Sequence, residues 1–149
     1  MAKRFSNNHR FNERWYRMLD PYHKLLWEYI QGKCDISGVW EINMLDLIDD
    51  LRLPGGIDFD SFILSVNTDY DRLTGDKITS ERLIRLSNNS LWITTFIKEQ
   101  YESKEETVSP YNLFAKSALI KLSQHGKLGH ALFKNFIPLD IPFEALRRA

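Results

Sequence analysis

The chain has a single cysteine, Cys34, so no disulfide can form within it. A lone thiol fits a reducing compartment. No apolar run approaches the ~20 residues needed to span a bilayer. Residues 1–11 carry basic groups but not the apolar stretch of a signal peptide. These absences predict a cytoplasmic protein with no membrane partner. Net charge is missing as well, because 20 Lys+Arg balance 20 Asp+Glu. That removes any global pull towards nucleic acid or membrane. Catalytic signatures are also absent. No GxxxxGK[ST], GxGxxG or HExxH pattern occurs. His9, His23, His125 and His130 stand at no metal-ligand spacing with Cys34 or with one another. The expectation is a protein that is not an enzyme and takes no cofactor or metal. There is no internal repeat or low-complexity segment.

What is present is apolar mass and segregated charge. A chain of 149 residues with 43% apolar and 13% aromatic residues can bury the core of one domain. Residues 1–34 hold seven basic and three acidic side chains, net +4. Residues 35–76 hold two basic and ten acidic, net −8. Residues 77–149 hold eleven basic and seven acidic, net +4. Two basic flanks around an acidic middle point to a charged partner.

Residues 15–41 concentrate three of the four tryptophans and the cysteine. Asp20-Pro21 predicts a helix start, with Asp20 as cap and Pro21 at the first position. Tyr22, Leu25, Leu26, Tyr29 and Ile30 form its expected apolar face. Gly32 is its expected left-handed stop. After the turn at Asp35-Ile36-Ser37-Gly38, residues 39–42 read as a short strand. Asn43 caps a second helix with Met44, Leu47, Ile48 and Leu51 inward and Asp46, Asp49 and Asp50 outward, broken at Pro54-Gly55-Gly56. Asp58 or Asp60 caps a third helix bearing Phe59, Phe62, Ile63 and Val66. Residues 67–75 are polar and give no clear pattern. Residues 83–97 read as a hairpin with Ser87-Asn88-Asn89-Ser90 as its turn. Residues 98–108 read as a charged connector, residues 110–125 as a further helix stopped by Gly126, and residues 127–149 as an irregular tail. The order predicts a mainly α fold with a small β-hairpin: a winged helix-turn-helix over residues 15–101, preceded by a basic arm (1–14). A connector and additional helix (102–126) and a C-terminal tail (127–149) follow it. In such modules the third helix enters the major groove and the hairpin lies along the backbone.

Candidate DNA-binding residues fall in three places. The arm and its exit supply Lys3, Arg4, Arg10, Arg14 and Arg17. The hairpin supplies Arg82 and Arg85, with Asn88 and Asn89 at its tip. The last helix supplies Lys116 and Lys121, followed by Lys127. Cations on several elements neutralise phosphates and make binding salt-dependent. The third helix carries Asp58 and Asp60 and no base, which suits the major groove poorly. The carboxylates Asp46, Asp49, Asp50, Asp58 and Asp60 raise a metal-dependent nuclease as a third reading, against which a solvated helix face is the commoner explanation.

Trp15, Leu19, Pro21, Lys24-Leu25-Leu26-Trp27, Cys34-Asp35, Gly38 and Trp40-Glu41 resemble the N-terminal domain of phage and mobile-element replisome organisers. Those proteins open with W-x-x-x-L-x-P-x-x-K-L-L-W and C-D-x-x-G-x-W-E. Phe96-Ile97, Gln100-Tyr101, Pro110, Asn112, Lys116-Ser117 and Gly126 resemble their later segments, although Leu113 and Ala115 stand where the family often has Arg and His. The resemblance spans roughly residues 15–126. It implies binding at a replication origin, recruitment of replication proteins, and self-association into a homo-oligomer; the expected nucleic-acid partner is double-stranded DNA, with single-stranded DNA as the alternative. The competing expectation is a protein-interaction or oligomerisation module that does not touch DNA.

Overall fold

The Asp20-Pro21 start forms as its chemistry dictates. Asp20 Oδ1 accepts the His23 amide at 2.9 Å, and helix α2 runs Pro21–Lys33. A computed structural model describes residues 8–53, 56–101 and 113–124. Ahead of α2 lie a 3-10 turn, Asn8–Asn12, and the short helix α1, Arg14–Arg17. The described end of the arm is thus a lead-in turn. Strand β1 is Val39–Glu41, helix α3 is Met44–Leu51 and helix α4 is Phe59–Val66. Asn43 and Asp58 cap α3 and α4 through the amides of Asp46 and Ser61. Strands β2 (Thr68–Tyr70), β3 (Lys77–Thr79), β4 (Leu83–Ser87) and β5 (Ser90–Ile93) follow. Helices α5 (Phe96–Tyr101) and α6 (Leu113–Ser123) complete the described part and pack on each other.

The molecule combines helices with small antiparallel sheets, an α+β arrangement. The main sheet has the order β1-β5-β4, with Trp40 opposite Leu91 and Leu83 opposite Ile93. Strand β5 is buried throughout because both of its neighbours are in place. The core joins Trp15, Tyr16 and Leu19 to Leu26, Trp27 and Ile30 of α2. It continues through Trp40, Leu47, Phe62, Val66, Leu91 and Phe96.

The C-D-x-x-G-x-W spacing has a direct explanation here. Cys34 is buried. Asp35 Oδ1 accepts from the Ser37 and Val39 amides and from Ser37 Oγ, closing the turn into β1. Gly38 has φ 88° and lies under Phe96. The Trp92 indole donates to the Ser37 carbonyl at 3.2 Å, locking this turn to β5.

Five expectations need correction. The inward face of α2 is Leu26, Trp27 and Ile30, whereas Tyr22 is 55% and Leu25 43% exposed. The two stripes share residues, and burying the large Trp27 indole decides between them. Gly32 does not stop α2. The helix continues to Lys33, Cys34 caps it with φ −61°, and the left-handed glycine is Gly38. On α3 only Leu47 is buried; Met44 and Ile48 are exposed, and Arg52 supplies the left-handed cap at φ 51°. Residues 67–75 are not featureless, because β2 and β3 form a two-stranded ribbon inserted between α4 and β4. Finally, Phe96 and Ile97 begin α5 instead of ending a strand, and the residues after Ile97 continue that helix to Tyr101. Both side chains are buried, which a helix end at the sheet edge allows and an alternating strand does not. Lys3, Arg4, Pro54, Gly55, residues 102–112, Gly126, Lys127 and the tail lie outside the described residues.

Candidate nucleic-acid interface

Each candidate cation is defined by its neighbours. Arg10 follows from the 3-10 turn, which aims its guanidinium back onto α2. Its Nε and Nη2 donate to the two Glu28 oxygens at 2.7 and 2.8 Å, a bidentate pair. Tyr16 donates its hydroxyl to the same carboxylate at 2.9 Å. The hydrogen bond to Glu28 raises the Arg10 pKa, against the opposing effect of burial. Burial, then the bond to Glu28, raises that of Tyr16. Only 14% of the Arg10 side chain is exposed.

Arg82 is equally committed. It donates to Asp69 at 2.6 Å and to the Val66 carbonyl at 3.3 Å, and its guanidinium lies 4.3 Å from the centre of the Trp15 ring. Burial pushes the Asp69 carboxyl up, but the bonds from Arg82 and the Tyr70 amide outweigh it and hold it below the usual carboxylate range. Arg85 donates to Asp60 and to the Asn88 carbonyl, both at 3.2 Å, and these contacts are exposed.

Arg14 and Arg17 differ. They lie three residues apart on α1, both exposed, and neither makes an ion pair with the described residues. The Arg14 guanidinium sits 5.4 Å from the Tyr70 ring centre. Asn88 and Asn89 stand exposed at the hairpin tip, where the Asn89 carbonyl accepts the Ile42 amide at 2.7 Å. Lys116 is carried on α6. Lys121 is exposed on α6 and lines a groove of about 560 Å³ with Tyr29, Lys33, Trp40, Asn43 and Asp46. Beside this groove the Tyr29 hydroxyl donates to Asp50 at 2.8 Å. Burial and that bond push its pKa up to about 12. Asp50 also meets Lys33 at 3.6 Å, so it is not purely a solvated helix-face residue.

The structure therefore turns Arg10 onto α2, leaves Arg14 and Arg17 exposed on α1, and places Arg85, Asn88 and Asn89 at the hairpin. Helix α4 presents Asp60 with no cation of its own. Sequence reasoning missed Phe11, Lys24 and Tyr70 at the N-terminal face. Phe11 lies edge-on to Tyr16, with ring centres 5.4 Å apart. The Lys24 ammonium lies 5.9 Å from the Tyr16 ring centre. The available signal was the interleaving of Arg10, Phe11, Arg14, Tyr16 and Arg17. Among the described residues no group of three or more His, Cys, Asp or Glu is placed to hold a metal ion. No helix among them is long and apolar enough to cross a membrane. Comparison of the chain with protein-family models, curated sequences and solved structures finds no match.

Proposed function

We propose that the chain is a non-enzymatic, winged helix-turn-helix DNA-binding protein that serves replication initiation in a phage or mobile element. The observation that carries this reading is topological. Three helices, α2, α3 and α4, are interrupted by β1, and β1 pairs with the second strand of the later hairpin to give the order β1-β5-β4. The hairpin β4–β5 then serves as the wing. Its tip residues Asn88 and Asn89, with Arg85, meet the DNA backbone, and Arg14, Arg17, Lys3 and Arg4 neutralise phosphates. Arg10 and Arg82 support this surface from within. Origin DNA is the ligand, and replication proteins and further copies of the chain are the partners.

A mobility-shift titration with duplex DNA tests this. With about four phosphates neutralised, raising salt from 50 to 200 mM weakens binding on the order of a hundredfold. Neutralising Arg14 and Arg17 together removes about half of that salt slope. No binding at the lower salt rejects the reading. Helix α4 favours a second one: its Asp58 cap and exposed Asp60, without a base, suit a protein partner better than a major groove. Light scattering separates the two: mass gained with replication proteins in the absence of DNA binding selects the second, and a strict monomer that does neither satisfies neither.

A further inference from the structure

The N-terminal face differs in chemistry from the hairpin. Phe11 is 51% exposed. The Arg10 guanidinium sits 4.6 Å from its ring centre, held there by the Glu28 pair. Arg14 and Arg17 stand exposed on the next helical turn, and exposed Met18 follows them. Lys24 approaches the same Tyr16 ring that Phe11 contacts. About half of Phe11 stays open to solvent, with the Arg10 guanidinium over its ring and exposed cations following in the chain. This arrangement matches a polyanion whose flat, unpaired bases are free to stack. A duplex keeps its bases stacked on one another and offers this ring nothing but backbone.

We propose that the face formed by the 3-10 turn and α1 is a platform for single-stranded nucleic acid, on which one base stacks against Phe11 while Arg14 and Arg17 hold the adjoining phosphates. This rests on the DNA-binding reading and adds strand selectivity, through Phe11, to the face that carries Arg14 and Arg17. The Arg10–Glu28 pair is a positioning element: it holds the 3-10 turn, and with it Phe11, against α2. Charge agrees, since residues 1–34 are net +4.

The test is fluorescence anisotropy with the full chain, using a labelled oligothymidylate of about 16 nucleotides and a duplex of equal length. Phe11→Leu keeps the apolar contact with Tyr16 but removes the π-face. Thermal melting establishes that each variant is folded. Oligothymidylate binding by Phe11→Leu is expected to weaken roughly tenfold, with duplex binding unchanged. Arg14→Ala with Arg17→Ala weakens both. If the duplex binds and oligothymidylate does not, or if Phe11→Leu binds oligothymidylate like the native chain, this platform is overturned while the duplex reading stands. Equal weakening of both ligands by Phe11→Leu also overturns it, because that marks packing and not stacking. Binding of neither ligand overturns both proposals.

Discussion

At Gly38 the backbone holds φ at 88°, and a β-carbon built there meets Phe96 Cβ at 2.5 Å and the Ile93 carbonyl at 3.1 Å. An L-residue pays about 1–2 kcal/mol for that conformation before any clash. Phe96 is buried and has no room to yield. Gly38→Ala is therefore expected to lose more than about 2 kcal/mol, read as a lower urea midpoint with an unchanged slope. A midpoint equal to the native one would refute the account. Arg82 and Asp69 make a second residue-scale claim. The folded-state pKa of Asp69 lies below its unfolded value. The pair's contribution is thus present in full above the ordinary carboxyl value of 3.8, and is lost as pH falls through the folded value. Asp69→Asn should be less stable than the native chain at pH 7 and should lose less on acidification. Urea midpoints measured from neutral to acid pH for both proteins decide this; parallel curves would exclude it.

Among the elements, legibility followed the strength of the local signal. Helices α2 and α3 announced themselves through Asp20 and Asn43, and α4 through Asp58 or Asp60, of which Asp58 is the cap; all three cap side chains accept a backbone amide. The hairpin β4–β5 was readable from its apolar and β-branched runs around Ser87-Asn88-Asn89-Ser90. The ribbon β2–β3 was not, because Thr68–Tyr70 and Lys77–Thr79 are three residues each and lack apolar alternation. A two-stranded ribbon is marginal alone, so its existence depends on tertiary anchors that no local pattern reveals. Asn67 is one. Its Oδ1 accepts the Arg82 and Leu83 amides at 2.8 and 2.9 Å, and its Nδ2 donates to the Leu83 carbonyl at 2.9 Å. This side chain replaces a strand partner at the point where the ribbon leaves the sheet. Asn67→Ala strips three backbone groups of their partners and should cost about 2–4 kcal/mol. A loss below about 0.5 kcal/mol in chemical denaturation would place it among inert surface changes and defeat the argument.

For the whole molecule, the succession of helix, strand, two helices and hairpin was visible in the sequence, the β2–β3 ribbon and α5 were not, and neither was the pairing of its charges. Arg10 finds Glu28 across 18 positions and Arg82 finds Asp69 across 13, distances over which charge counting is blind. Two of the cations that seemed most available thus fasten the fold, while Arg14 and Arg17, indistinguishable from them in composition, stay exposed. The same division separates two levels of stability. Strand β5 is paired on both sides and wholly buried, and its Ile93 amide donates to the Gly38 carbonyl at 2.9 Å. Ribbon strand β3 is exposed at every residue and pairs only with β2. Opening β5 requires breaking the core; opening β3 requires breaking one short ladder and the turn joining Asp71 and Asp76. Native-state hydrogen exchange should therefore show β5 amides exchanging only through global unfolding, with slopes against denaturant equal to the equilibrium value. Amides of Lys77–Thr79 should exchange through a smaller opening with little denaturant dependence. If the ribbon amides prove as slow as those of β5, the ribbon belongs to the cooperative core and its attachment through Asn67 and Arg82 is stronger than their bonds imply.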